Sequence, residues 1–194
     1  MYSYIEGRLV EKKPTYAVIE CGGVGYELNI SLYTFSKIKD FERCKLFTHL
    51  AIKEDAHTLY GFFEEGERFL FRQLISVSGV GASTARMMLS SLTPEEISTA
   101  IVTNNVLLLQ SIKGIGAKTA QRIILDLKEK LGKTTGSKEI LLTEHNTKHE
   151  EALSALITLG FNKSAVEKVL DKIIRSEGVN ITVEQIIKLA LKNL

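Results

Sequence analysis

Cysteine is almost missing from this chain. Cys21 and Cys44 are too few for a disulfide framework, and their spacing matches no metal-ligand pattern. Long apolar runs are missing too: nothing approaches the roughly 18 residues that a spanning helix needs. The opening MYSYIEGRLV lacks the basic segment and apolar stretch of a secretion signal, so the expected setting is the cytosol, with no membrane contact. The third absence is charge of one sign. Lys and Arg number 25 against 23 Asp and Glu, and none of the segments 1–63, 64–131 and 132–194 departs from balance by more than one charge. Bulk attraction therefore cannot drive binding to a polyanion. Any such grip must come from local placement of amides and cations. What is present, 194 residues at 44% hydrophobic, suffices for the cores of one to three small domains.

The fold class expected is multidomain α+β. Residues 1–63 read as five short strands with one helical insert: Tyr2 to Val10, Thr15 to Glu20, Gly25 to Ile30, then Ser31–Ile38 opened by Ser31 as a cap, then Lys45 to Ile52 and His57 to Phe63. Breaks at Lys12-Lys13-Pro14 and Gly22-Gly23 separate the first three. This order suits a small oligonucleotide-binding (OB-fold) barrel, an architecture that also binds sugars and proteins. Residues 64–131 turn helical. Phe69, Leu70, Gln73, Leu74 and Val77 form a nearly apolar stripe, and Thr93-Pro94-Glu95-Glu96 is a helix start. Ala117 to Leu131 reads as an amphipathic helix that Gly132 should end. Residues 132–148 lose periodicity and read as a flexible linker. Residues 149–194 return to three short helices. The first carries Ala152, Leu153, Leu156 and Leu159 before Gly160, the second is capped by Ser164, and the third by Thr182.

One internal echo carries chemistry. Gly79-Val80-Gly81-Ala82-Ser83-Thr84-Ala85 and Gly114-Ile115-Gly116-Ala117-Lys118-Thr119-Ala120 agree at five of seven positions, 35 residues apart, each between helical segments. Gly-φ-Gly makes a tight inter-helix hairpin, since glycine accepts positive φ and admits another backbone closely. The central apolar residue anchors the turn, and the amides opening the next helix point outward, where a phosphate oxygen can be held. A single copy could merely join two packed helices; a doubled one favours a backbone grip on nucleic acid without base reading. Lys113, Lys118, Thr119 and Arg122 flank the second copy, and Arg86 follows the first.

With both hairpins stand the words GRL around Arg8, GGVGYE at Gly22–Glu27, FTHL with KEDA over Phe47–Ala56, and LYGF at Leu59–Phe62. In this order they resemble the RuvA family of bacterial Holliday-junction branch-migration subunits, over essentially the whole chain. The resemblance implies a non-catalytic subunit without cofactor or metal, acting in homologous recombination and DNA repair. It implies a homotetramer, or an octamer on DNA, that binds four-way junction DNA and positions a RuvB-type hexameric ATPase, with a RuvC-type junction resolvase as a further partner. Glu54 and Asp55 match the family's acidic pin, which keeps strands apart at the crossover, with Lys53 beside it; taken alone, two acids at a turn are more simply solvated surface. The tail resembles the UBA-like bundle that docks the ATPase, with Leu156, Leu159 and Phe161 as candidates for its surface; helical spacing also fits at least one of them as core. The chain departs from some relatives at Ser83, where they carry a basic residue, which leaves the first hairpin its backbone contacts.

Other signals fall away. Gly132-Lys133-Thr134 looks like the end of a nucleotide loop, but Leu127 stands where its first glycine belongs. No third glycine follows Gly79-Val80-Gly81 at dinucleotide spacing. His49, His57, His145 and His149 make no convincing ligand set. Two alternatives remain open at this level: a metal-dependent, structure-specific nuclease, whose only suggestive acids are Glu54 and Asp55, and a generic duplex-binding adaptor.

Overall fold

The computed structural model describes residues 2–135, 144–177 and 181–194, in two compact units, Met1–Thr135 and Gly136–Leu194. In the first unit, β1 (Tyr4–Lys13), β2 (Tyr16–Cys21), β3 (Val24–Asn29), β4 (Arg43–Ile52) and β5 (His57–Phe62) close a barrel in the order β1-β2-β3-β5-β4. The closing pair, β3 with β5, is parallel, with Asn29 opposite Tyr60; the other pairs are antiparallel. Period-2 alternation turns Ile5, Ala17, Ile19, Leu28, Cys44 and Leu46 inward, and Ile30 and Ile38 complete that core. Gly7 is obligatory, because a Cβ there would lie 2.1 Å from the carbonyl oxygen of Glu20. Gly22 and Gly23, at φ +58° and +86°, form the tight β2–β3 turn. The expected break at Lys12-Lys13-Pro14 falls later. Lys12 and Lys13 still pair with Ala17 and Tyr16, so only Pro14 and Thr15 turn the chain.

Helix α1 (Leu32–Ile38) joins β3 to β4, and the Ser31 hydroxyl accepts from the Thr34 amide as foreseen. After β5 come α2 (Glu65–Ile75), α3 (Ala82–Ser91), α4 (Pro94–Val102), α5 (Val106–Gln110) and α6 (Ala117–Thr135). Thr93 and Glu96 make the reciprocal capping box at the start of α4. The helices pack directly on the barrel across residue 64. One apolar core runs from Tyr60 and Phe62 of the barrel through to Leu131. Phe71 is the hinge of that shared core, its ring 4.8 Å from Phe62, 5.1 Å from Tyr60 and 5.4 Å from His49. This also turns the expected α2 stripe: Leu70, Phe71, Leu74 and Val77 are buried, Gln73 is half-buried and Phe69 is exposed. A helix packed on strands and on other helices needs a wider face than one stripe.

Gly132 does not end α6, which continues to Thr135. Its φ is not left-handed, and one interior glycine costs only about 1 kcal/mol relative to alanine. Of the expected linker 132–148, residues 132–135 and 144–148 are therefore helical, and 136–143 lie outside the described residues.

The second unit holds α7 (Glu144–Thr158), α8 (Lys163–Glu177) and α9 (Val183–Leu191) around Ala152, Leu156, Val166, Leu170, Ile173, Ile186 and Ala190. Gly160 turns the chain at φ +100°. The cap of α8 is Asn162, whose Oδ1 accepts from the Ser164 amide at 2.9 Å, rather than Ser164 itself. Asparagine is as good a cap as serine, so the position is settled by where Gly160 releases the chain. Thr182 caps α9 as expected, in a box with Gln185.

Candidate nucleic-acid interface

The two hairpins have the same backbone. Gly79 and Gly114 both sit at φ +91°, a conformation in which any Cβ is strained. The Val80 amide donates to the Val77 carbonyl at 3.0 Å, and the Ile115 amide to Ile112 at 3.0 Å. Val80 and Ile115 are each 5% exposed, anchoring their turns in the shared core. The first intrahelical bonds then run from Ala85 to Gly81 and from Ala120 to Gly116, both at 2.9 Å. The four amides before each of these, those of Gly81 to Thr84 and of Gly116 to Thr119, are thus the unpaired donors of α3 and α6.

How those donors are treated sets α3, like α2, apart from the helices with a side-chain cap. Ser31, Thr93, Asn105 and Thr182 place side-chain oxygens over the amides of α1, α4, α5 and α9. At α3 the cap is Gly81, with no side chain to accept from the amides. A Cβ built at Gly79, Gly81, Gly114 or Gly116 would meet nothing within 4 Å, so each turn is open to solvent. Open amides, the positive end of a helix dipole and room for close approach together suit a phosphate oxygen.

The side chains around the turns differ. Lys113, Lys118 and Arg122 surround the second hairpin, all exposed. Arg122 reaches Asp126 only at 3.9 Å, and no ion pair among the described residues involves Lys113 or Lys118. At the corresponding places of the first hairpin, 35 residues earlier, stand Ser78, Ser83 and Met87. Ala82 and Ala117 open the two helices at the same register, and Thr84 and Thr119 are half-buried behind them. Arg86, expected beside the first hairpin as a phosphate cation, is turned toward the barrel instead: Nη1 donates to Asn29 Oδ1 at 2.7 Å and to the Thr15 carbonyl at 3.0 Å.

Lys53, Glu54, Asp55 and Ala56 form the exposed tip between β4 and β5, closed by the Lys53 amide donating to the Ala56 carbonyl at 2.9 Å. Ile52 beside it is 67% exposed. Among the described residues, no three His, Cys, Asp or Glu side chains gather as a metal site, and Glu54 and Asp55 stand without a third carboxylate. His49 lies in β4 against Phe71; burial, then the Arg72 and Arg68 charges, hold its pKa below the usual histidine value. No described helix is long and apolar enough to cross a membrane.

The three tail candidates separate. Leu156 is fully buried in the bundle core and offers no docking surface, which corrects its assignment there; a heptad-like spacing from Ala152 puts it on the inner face. Leu159 is 61% exposed and Phe161 is half-buried against the core.

A group missed from the sequence is Glu67. It is fully buried on α2 and accepts from Ser31 Oγ, Thr34 Oγ1 (2.6 Å) and the Phe63 amide (3.3 Å). Desolvation pushes its pKa up despite these donors. The clue in the sequence is phase, since Glu67 falls in register with the buried Leu70, Phe71 and Leu74.

Comparison with known proteins agrees with this layout. The RuvA N-terminal domain family matches residues 1–61, the SAM-like helix-hairpin-helix tandem family residues 71–129, and the RuvA C-terminal domain family residues 147–194. A protein of Christiangramia forsetii named Holliday junction branch migration complex subunit RuvA is 58% identical over 194 residues, covering all of both chains. Proteins of the same name from Flavobacterium psychrophilum and Cytophaga hutchinsonii are 54% identical over all of both chains and 49% identical over 99% of each. By full-length identity and by all three domain matches, the chain belongs to the RuvA family.

Proposed function

We propose that this chain is a Holliday-junction-binding subunit of a branch migration complex, working without catalytic residues of its own. The observation that carries this reading is the doubled hairpin, with Gly79 and Gly114 at one φ and two sets of open amides in one compact unit. The names of its full-length relatives point the same way. Hairpin 1 (Gly79, Val80, Gly81, Ala82, Ser83) and hairpin 2 (Lys113 to Thr119, with Arg122) hold phosphates on two strands, reading shape and not sequence. The exposed tip bearing Glu54 and Asp55 enters the open centre of the crossover. Its carboxylates repel the backbone and keep separated strands apart, and Lys53 steadies a phosphate beside them. Four copies surround the junction in the cytosol. The tail, through exposed Leu159 and half-buried Phe161, holds a hexameric ATPase that supplies the motion. A junction resolvase takes the exposed face of the same complex.

The deciding experiment is a competition titration of a four-way junction against linear duplex of equal length at two salt concentrations. Preference for the junction of about a hundredfold or more, with affinity that falls steeply with salt, is expected. Equal affinity for both would reduce the protein to a generic duplex binder and leave Glu54 and Asp55 without a role.

A further inference from the structure

The corner between β3 and α1, residues 29–34, receives side chains from both helices of the first hairpin. From α2, Glu67 accepts from Ser31 Oγ and Thr34 Oγ1. From α3, Arg86 donates to Asn29 Oδ1, and to the neighbouring Thr15 carbonyl. One turn along α3, Ser90 Oγ accepts from the Leu32 amide at 3.1 Å and donates back to the Arg86 carbonyl at 2.8 Å. The first hairpin is thereby fixed at one socket on the barrel by three polar side chains, across 33 to 71 residues of chain. No side-chain hydrogen bond described for residues 106–126, which hold the second hairpin, reaches the barrel.

We propose that Arg86 is a positioning residue: it ties the phosphate-binding turn of hairpin 1 to the barrel, so that this hairpin grips DNA through main-chain amides alone while the barrel dictates where the grip lies. This rests on the junction-binding reading above. Three observations separate it from the simpler view that Arg86 neutralises a phosphate. Arg86 is the fifth residue of α3, beyond the first turn whose amides are open. The partner of Arg122 under the 35-residue repeat is Met87, not Arg86, so the two arginines leave their helices about 100° apart. The residue that does correspond to Arg86 is Gln121, exposed and uncharged, which shows that the hairpin fold has no need of a cation there. Its guanidinium is used where a chain-distant carbonyl and an amide oxygen both require a donor, at the edge of the barrel.

The consequence is architectural. Linear duplex can settle on the hairpins wherever they lie relative to the barrel. A four-way junction fixes its arms relative to its centre, and the β4–β5 tip addresses that centre. Loosening the socket should therefore cost junction preference without removing a phosphate contact.

The test uses the full chain with Arg86→Ala, Asn29→Ala and the double variant, each titrated with junction and with duplex over a range of salt. Arg86→Ala is expected to lower junction affinity about tenfold, with duplex affinity within about twofold of the parent. The log–log salt slope should move by much less than the roughly 0.9 that a lost phosphate contact produces. Asn29→Ala should reproduce the effect, and the double variant should be no worse than Arg86→Ala. A fall in both affinities together with a slope change near 0.9, and a silent Asn29→Ala, would make Arg86 a phosphate ligand and overturn the proposal. Unchanged junction preference in both single variants would overturn it as well. Should Arg86→Ala fail to fold, Asn29→Ala carries the test, since it removes only the acceptor. Loss of the underlying reading would show separately, as a parent protein that prefers no junction at all.

Discussion

The two hairpins of this protein share a backbone and almost nothing else. Their glycines, buried anchors and first helical bonds coincide at an offset of 35 residues. Their surroundings divide the work. The first is uncharged at its turn and bound to the barrel through Glu67, Arg86 and Ser90; the second is ringed by Lys113, Lys118 and Arg122 and leans on the other helices. A phosphate site needs amides, charge and a fixed place. In the proposed arrangement the amides come from the repeated glycine turn, whereas charge and place belong to different copies. On the proposed reading, a chain of net charge +2 holds DNA through cations concentrated at one turn.

The largest effect should come from removing what the copies share. Gly81 and Gly116 lack left-handed φ, and a Cβ at either meets nothing within 4 Å, so valine there leaves the fold intact while covering the amides. Gly81→Val with Gly116→Val should weaken junction binding by on the order of 4 kcal/mol, at about 2 kcal/mol per hairpin for charge-assisted bonds. That is roughly a thousandfold in Kd, against a change in stability of about 1 kcal/mol. Binding isotherms and thermal unfolding together check it. Equal losses from the two single variants would support a shared backbone grip; a silent Gly81→Val would break the comparison by making hairpin 1 purely structural.

The next effect sharpens the difference in charge. Lys113→Gln, Lys118→Gln and Arg122→Gln combined should lower the log–log salt slope by up to about 2.7, at roughly 0.9 per contact. Ser78→Ala with Ser83→Ala should leave the slope where it was. Salt titrations of duplex binding give both values directly. A slope unaffected by losing all three cations would place the phosphates of hairpin 2 on amides alone and erase the asymmetry.

Much of this was legible in the sequence because it is local. The hairpin turns follow from glycines flanking an apolar residue, and the caps at Ser31, Thr93 and Thr182 from short polar side chains before amphipathic runs. The tip at Glu54 and Asp55 lies between two strands that alternation already indicated. What could not be read was the pairing of distant residues. The hydrogen bonds of Arg86 to Asn29 and Thr15, 57 and 71 residues away, leave no local signal. The packing across residue 64 is hidden for the same reason: Phe71 seals against Tyr60 and Phe62, and no periodicity within α2 reveals that. Gly132 misled in the opposite direction, since a helix already 15 residues long outlasts one weak position.

The smallest expected effect concerns the socket itself and acts on only one hairpin. Burial raises the pKa of Glu67 above the usual 4.5, outweighing the hydroxyl and amide donors that favour its ionised form. Between 4.5 and that raised value the folded chain binds more protons than the unfolded one, so this group's contribution to stability is greatest at low pH and is lost as pH rises through the window. Glu67→Gln has nothing to titrate. The stability of the parent relative to this variant should therefore decline as pH is raised from 4.5 toward neutrality, in paired urea unfolding curves. Amide hydrogen exchange locates the change: protection in α2 and α3 should follow pH in the parent but not in Glu67→Gln, whereas α5 and α6 should behave alike in both. A pH-dependent difference spread evenly over both hairpins would mean that the socket is not a local device and that the two copies share one fate. A difference that grows in the parent's favour with rising pH would mean that the three donors hold the carboxylate ionised, and that desolvation is the lesser influence.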